Sequence, residues 1–296
     1  MGMGLRVTFG SLARGAQSGM EGALIRVARA QDKLTTGKRI QSASDDPGGA
    51  SQLIQLNSTL GDLTQYRRNG EQGKGALSLA DGALDSLGGL VREARTLTVQ
   101  AANDTQSAES RQALAQKIGR IKEQVVAIAN TNVSGRYLFA GHKTDTRPFD
   151  PADAANTYAG DAGSQRVEIN RGEYVNGNLP GDAIFSQLLD DLDAVKGYIT
   201  AGDTAGLSTT GMAKIDDGLK RVLGARGQVG SVINQIDATR ARLDTAEQEF
   251  RTIASNIEEI DLPQAIVELQ AAQNAYQASL ASTSRTFQSS LMDYLR

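Results

Sequence analysis

The sequence predicts a mainly α protein. Its N- and C-terminal segments form a long-helix rod or bundle, with a small β-rich domain inserted between them. Three observations predict this. Residues 222–260 place an apolar or near-apolar side chain at every seam position of a heptad register: Val222, Val229, Ile236, Leu243, Phe250 and Ile257 on one line, and Ala225, Val232, Thr239, Ala246, Ile253 and Ile260 on the other. Sustained seven-residue spacing requires a long helix lying against other long helices. Both ends of the chain carry stripes of the same kind, whereas the stretch after Asn132 substitutes Pro, Gly and short alternations.

From the N-terminus, Leu5, Phe9, Leu12 and Ala16 follow 4-3-4 spacing, and Met20, Leu24, Val27, Gln31 and Leu34 resume it after a one-residue slip. Gly10, Gly15, Gly19 and Gly22 interrupt this helix, each costing about 1 kcal/mol relative to Ala. Such a helix orders poorly unless something packs on it. Residues 36–49, rich in Gly, Asp and Pro, form a loop. A second long helix starts near Ala50 with the seam Leu53, Leu56, Leu60 and Leu63. It loosens between Asn69 and Gly75 and resumes from Leu77 through Ala101. Asn103, Asp104 and Thr105 break it, and Ser107 caps a third helix carrying Leu114, Ile118, Ile121, Val125 and Ile128.

Beyond it, Tyr137 to Gly141 reads as an aromatic strand-like run ended by a turn, and Arg166 to Asn170 as a short strand. Asn176 with Gly177 and Pro180 with Gly181 are turn dipeptides. Residues 184–199 read as a helix, and a Gly-rich link from Gly202 to Gly211 leads to the 222–260 rod. A final helix begins at Leu262 and Pro263 with Asp261 as its cap. Its seam reads Ile266, Leu269, Gln273, Tyr276, Leu280, Thr283 and Phe287, then Leu291, Tyr294 and Leu295.

Composition favours thin helices over a large globular core. Aromatics make up 4% of the chain, and it contains neither Trp nor Cys. Without Cys there are no disulfides, thiolate metal sites or cysteine nucleophiles. With His142 as the single histidine, a His-rich metal site cannot be built, and His142 reads as a loop histidine and not as the base of a Ser-His triad. Asp45 and Asp46, beside Pro47, read as a helix-capping turn, and the pairs Asp190/Asp191 and Asp216/Asp217 as solvated helix faces. Residues 70–75 lack the spacing of a phosphate loop. The net charge is −3, with 31 basic residues scattered among 34 acidic ones, which is a mixed surface and not a nucleic-acid footprint. Tyr276, Phe287 and Tyr294 are accordingly seam residues and not a base-stacking platform. No apolar run reaches membrane-spanning length, and the first residues do not form a cleavable secretory signal. The expectation is no enzyme, no cofactor, no metal, no nucleic acid and no membrane insertion. A cytoplasmic coiled-coil adaptor would fit the heptads but not the motifs that follow.

Several segments resemble the flagellin superfamily. Residues 34–40 (LTTGKRI) followed by Ser44, Asp45, Asp46 and Pro47 resemble the turn that follows its first helix. Residues 99–105 (VQAANDT) are similar to the stretch that closes its long helix, and residues 265–288 to its C-terminal helix. Within the superfamily, residues 135–141 (GRYLFAG), then Thr144, Thr146, Pro148 and Phe149, resemble the branch that joins hook to filament, as do Tyr158 to Asp161 and Arg166 to Ile169. The resemblance implies a structural component of the bacterial flagellum, with a filament-forming flagellin as the alternative. It implies three parts: a terminal-helix inner domain (1–45 and 256–296) ordered on assembly, a helical rod domain (46–141 and 215–255) and an inserted outer domain (142–214). It also implies export unfolded through the flagellar type III channel. The implied partners are other copies of the chain, a neighbouring hook-associated protein, flagellin and an export chaperone. Leu5, Phe9, Leu12, Ile266, Leu269, Tyr276, Leu280, Phe287 and Leu291 are the expected subunit-packing residues.

Overall fold

The computed structural model describes residues 9–103 and 106–294, with side chains described between residues 14 and 285. In chain order the elements are α1 (Phe9–Thr36), α2 (Pro47–Ala101), α3 (Ala108–Ala129), β1 (Asn132–Val133), β2 (Arg136–Tyr137), β3 (Arg166–Asn170), β4 (Glu173–Asn176), α4 (Asp182–Ala201), the single turn α5 (Thr204–Gly206), a π-helical turn (Leu207–Gly211), α6 (Met212–Glu258) and α7 (Leu262–Tyr294). The fold is long helices with two small antiparallel hairpins, β1–β2 and β3–β4. The chain divides into two compact units, Met1–Gly61 with Glu247–Arg296 and Asp62–Ala246.

The second unit holds the main core. Leu77, Ala80, Leu84, Leu87, Val91 and Ala94 of α2 meet Ile118, Ile121 and Val125 of α3, Phe185, Leu188, Leu189 and Leu192 of α4, and Ile215, Val222 and Val229 of α6. These are the residues that heptad and 3-4 spacing select. Burying each large aliphatic side chain contributes about 1.5–3 kcal/mol. Phe139, Phe149 and Phe185 form an aromatic cluster, with ring centroids 5.0 and 6.1 Å apart in edge-on geometry. Phe139 lies in the turn after β2, so the expected strand from Tyr137 to Gly141 ends at Tyr137. Filling the core with the Phe139 ring takes precedence over extending the hairpin.

The α2 pattern loosens between Asn69 and Gly75, yet the helix runs on unbroken. A Cβ on Gly70 would come within 3.3 Å of Ile236, and one on Gly73 within 3.7 Å of Val167. The missing side chains leave room for α6 and the β3–β4 hairpin. Asn69 donates to the Glu168 carbonyl, while the Glu173 carboxylate accepts from Gln235 and Thr239 and pairs with Arg242. The link expected between Gly202 and Gly211 is largely helical: Asp203 caps α5 by accepting the Gly206 N–H, and Leu207 is fully buried. Ser107 caps α3 as its position predicts, accepting from the Ser110 N–H.

Asp191 corrects the reading of residues 190–191 as a solvated face. It is 2% exposed, and its two oxygens lie 2.8 Å from Lys214 and 2.8 Å from Arg221. The α4–α6 contact buries the carboxylate, and two cations compensate for its lost hydration. On α6, Val222, Val229, Ile236 and Leu243 are buried as the seam requires. Ile253 departs from it at 45% exposure, and Ile260 lies beyond the helix end.

Candidate subunit-packing surface

In the first unit, the turn after α1 clasps the N-terminal segment to the C-terminal one. Gly37 ends α1 at φ +69°, a conformation disfavoured for side-chain-bearing residues. Its N–H closes on the Lys33 carbonyl, and its own carbonyl accepts from the Ile260 N–H. Two residues on, the Arg39 N–H donates to the Glu258 carbonyl at 2.6 Å, and the Arg39 guanidinium donates to the Ile257 carbonyl at 2.9 Å. Lys38 pairs with Glu258. The loop is shaped by its two carboxylates. Asp45 accepts the backbone N–H groups of Gln41 and Ser42, and Asp46 accepts that of Gly49 and pairs with Arg39. Backbone donation holds both below the usual carboxylate range, from Ser42 first for Asp45 and from Gly49 first for Asp46. The pair is thus a capping turn, as the adjacent Pro47 suggests.

Beyond the clasp, α1 and α7 pack together. The antiparallel bridge between Lys38 and Glu259 joins the end of one to the start of the other, so they run in opposite directions. The buried and half-buried side chains of α1 are Ala16, Met20, Ala23, Val27, Ala30 and Leu34, together with Gly22 and Lys33. Those of α7 are Ala265, Leu269, Ala272, Tyr276, Ser279 and Thr283. Each helix therefore presents a 4-3-4 seam in which a small residue recurs every seventh position between larger ones. In antiparallel order this alternation sets large against small and brings the backbones close.

The seam expected for α7 is thereby displaced at alternate positions: Ala265, Ala272 and Ser279 take the places of Ile266, Gln273 and Leu280. The same displacement puts Ala23 and Ala30 of α1 where Leu24 and Gln31 were expected. Among the expected packing residues, Leu269 and Tyr276 lie in this intrachain seam, half-buried. Ile266 and Leu280 stand outside it at 48% and 41% exposure. Leu5 lies outside the described residues, and so do the side chains of Phe9, Leu12, Phe287 and Leu291.

The residue following each small seam position falls on the same edge of an antiparallel pair. That edge carries Gln17, Leu24 and Gln31 from α1 and Ile266, Gln273 and Leu280 from α7. Leu24 is 51% exposed. The opposite edge is charged, a groove lined by Arg26, Arg29, Lys33 and Glu268. The pair thus has one charged edge and one uncharged edge on which exposed aliphatic side chains stand among glutamines. Ile25, Ile54, Ile253, Leu262 and Val267 of the same unit are also exposed. Hydropathy alone marks the large residues and misses the alanines; the seven-residue recurrence of Ala16, Ala23 and Ala30 was the signal that could have found them.

Among the described residues no set of three His, Asp or Glu side chains is placed to hold a metal ion, and no helix is long and apolar enough to cross a membrane. His142 lies elsewhere, in an exposed loop, where its N–H donates to Asp161 and its Nε2 sits 3.2 Å from the Ser164 carbonyl.

Two family models match the chain: the bacterial flagellin N-terminal helical region over residues 12–144, and the bacterial flagellin C-terminal helical region over residues 212–295. The chain is 28% identical to a flagellar hook-associated protein 3 of Escherichia coli, over 70% of this chain and 73% of that one. It is 25% identical to a flagellin of Halalkalibacterium halodurans, over 86% and 85%. Its fold is similar to a solved structure from Vibrio parahaemolyticus described as a flagellar hook-associated protein, with a TM-score of 0.68, 22% identity, and coverage of 73% of this chain and all of that one.

Proposed function

This chain belongs to the flagellin superfamily as a flagellar hook-associated protein 3 and is a structural component of the flagellum at the junction of hook and filament; from that premise we propose that its paired terminal helices are the surface through which subunits join. The observation that carries the reading is the uncharged edge of the α1–α7 pair, where Leu24, Ile266 and Leu280 stand exposed beside a seam in which small and larger residues alternate. An isolated subunit that leaves large aliphatic side chains in water, on elements with a thin seam of their own, gains most by burying them against another helix. The uncharged edge takes the corresponding helices of neighbouring copies, and the charged edge stays wet. Leu5, Phe9, Leu12, Phe287 and Leu291 extend the packing toward the two chain ends, and Leu269 and Tyr276 hold the pair together.

Under this reading the chain passes unfolded through the flagellar export channel, held beforehand by a chaperone. Its terminal domain (1–45 and 256–296) orders fully on assembly, around a rod domain (46–141 and 215–255) and an outer domain (142–214). Subunits stack on the preceding hook-associated protein and present the next surface to flagellin. Leu280→Asp is expected to leave secretion intact and to block filament attachment; a normal filament on that mutant removes Leu280 from the packing surface. Immunogold labelling of detached flagella with antibody to residues 142–215 tests the location. Label confined to a short zone at the end of the hook agrees with the junction role. Label along the whole filament makes the chain a filament subunit.

A further inference from the structure

Apart from Gly70, which admits Ile236, the apolar seam between α2 and α6 in the second unit says little about which residue faces which. Leu77, Ala80, Leu84, Leu87 and Val91 on one helix and Val222, Ala225, Val229 and Ile236 on the other are small or aliphatic residues at heptad intervals. Sliding one helix by seven residues therefore restores an apolar seam. Alongside the seam runs a row of ion pairs: Arg67 with Asp244 at 3.6 Å, Glu71 with Arg240 at 3.4 Å, Lys74 with Asp237 at 2.6 Å, Asp85 with Arg226 at 2.6 Å and Arg95 with Asp216 at 2.6 Å. Every step forward along α2 is matched by an equal step back along α6. Arg226 also reaches Asp81, one turn before Asp85, at 2.9 Å.

These pairs line one edge of the α2–α6 contact and alternate in polarity along it: Arg240 reaches both Glu71 and Asp244, and Arg226 both Asp81 and Asp85. At Arg67, Lys74 and Arg95, α2 supplies the cation and α6 the carboxylate. At Glu71 and Asp85, α2 supplies the carboxylate and α6 the cation, Arg240 or Arg226. Sliding by one heptad in one direction would keep Lys74 against a carboxylate, now Asp244, but would set Asp81 against Asp237 and Arg92 against Arg226. Sliding the other way would leave Arg67 facing Asp237 and set Glu71, Lys74, Asp85 and Arg95 against Ile233, Gly230, Leu219 and Thr209. Exposed pairs of this kind are individually weak. Selection between alignments depends on their difference, and there five attractions are exchanged for one attraction plus repulsions, or for one attraction alone.

We propose that this charge ladder of alternating polarity is a register lock, selecting the single alignment of α2 against α6 on which the β3–β4 hairpin can dock. The hairpin spans both helices, through Asn69 to the Glu168 carbonyl and Arg242 to Glu173. A one-heptad slide would separate these two anchors by about 10 Å. The lock is a property of the folded subunit and does not depend on what the terminal helices bind.

Disulfide trapping tests it, because the chain has no cysteine of its own. Gly88→Cys with Leu223→Cys reports the observed alignment, and Gly88→Cys with Gly230→Cys reports the one-heptad slide. A Cβ at Gly88 meets only ordinary contacts, Arg92 at 3.6 Å and Val222 at 3.8 Å, and one at Gly230 meets nothing within 4 Å. In the otherwise native chain only the first pair is expected to cross-link. Recoding α2 by Glu71→Arg, Asp81→Lys, Asp85→Arg and Arg92→Glu makes the observed alignment repulsive at Arg240 and Arg226 and the slide attractive at Asp237 and Arg226. The first disulfide is then expected to be lost and the second to appear. Adding Arg226→Glu and Arg240→Glu is expected to restore the first and abolish the second. Persistence of the first disulfide in the recoded chain overturns the proposal, since the apolar seam and the hairpin then set the alignment. Loss of the first without gain of the second also overturns it, because the charges then add stability without selecting an alignment. So does a failure of the compensating changes to restore the first.

Discussion

At the scale of single residues, a few positions hold the geometry and each makes a measurable prediction. Gly37 adopts a left-handed backbone conformation at the point where α1 stops and the clasp begins. Gly37→Ala is expected to destabilise the first unit by about 1–2 kcal/mol, the cost of the left-handed region for a residue with a Cβ, read as faster amide exchange at Ile260 and Arg39. Asp45 and Asp46 have depressed pKa values in the folded chain. Their contribution is therefore present above the ordinary carboxylate range and is lost as pH falls through the lowered folded values. Acidification through that window is expected to release protection at Gln41, Ser42 and Gly49 before helix content falls, as hydrogen exchange at stepped pH would detect. Asp191→Asn in the second unit leaves Lys214 and Arg221 beside a buried neutral group. A loss of about 1–3 kcal/mol is expected on urea unfolding, the cost of charge-assisted hydrogen bonds lost to two cations that are each about a third exposed. The capping turn at Asp45 and Asp46 was legible in the sequence because adjacent carboxylates before a proline commonly cap a helix; its hold on residues 257–260 was not, because those backbone partners lie more than 200 residues away. The burial of Asp191 was not, because its partners lie on another helix and nothing local distinguishes it from the solvated Asp190.

At the scale of elements, the α2, α3, α4 and α6 stripes were legible because their large aliphatic residues are the ones buried. Positions where packing favours the smaller residue were not. In α1 and α7 the alternating alanines close the pair and turn Leu24, Ile266 and Leu280 outward, so a stripe drawn through the most hydrophobic side chains lands partly on the free edge. In α2 the glycines that loosen the pattern are the ones that admit Ile236 and the hairpin. This distinction separates two kinds of substitution in α7. Ala272→Leu places extra methylenes in the close seam and is expected to cost about 1–3 kcal/mol in the isolated subunit. Ile266→Ala removes a side chain that is half in water, and isolated-subunit stability is expected to stay within about 0.5 kcal/mol of wild type while assembly is impaired. Urea melts of the subunit alongside an in vitro co-assembly assay would separate them. Equal destabilisation by both would put Ile266 back in the intrachain seam.

At the scale of the whole molecule, the two units differ in how completely each buries its own apolar surface. The largest fully buried side chains, Phe139, Phe149, Phe185, Leu84, Leu87 and Ile118 among them, belong to the second unit. Most of the exposed large hydrophobics, including Ile54 at 69%, belong to the first. A unit whose helices share a thin seam in which every second residue is small opens at lower free energy than one with a contiguous aliphatic and aromatic core. Amides of α1 and α7 are therefore expected to exchange at least tenfold faster in the free subunit than those of α3 and α4. If the uncharged edge is where subunits meet, assembly adds the missing apolar neighbours to the first unit and leaves the core of the second unchanged. Protection should then rise along α1 and α7 on co-assembly, most strongly near Leu24, Ile266 and Leu280, and stay constant in α3 and α4. Hydrogen exchange followed by mass spectrometry on free and assembled protein measures both halves of this expectation. A uniform rise across both units would mean that assembly stabilises the subunit globally and that the edge has no special part in it. No rise at α1 and α7 would place the subunit contacts on another surface.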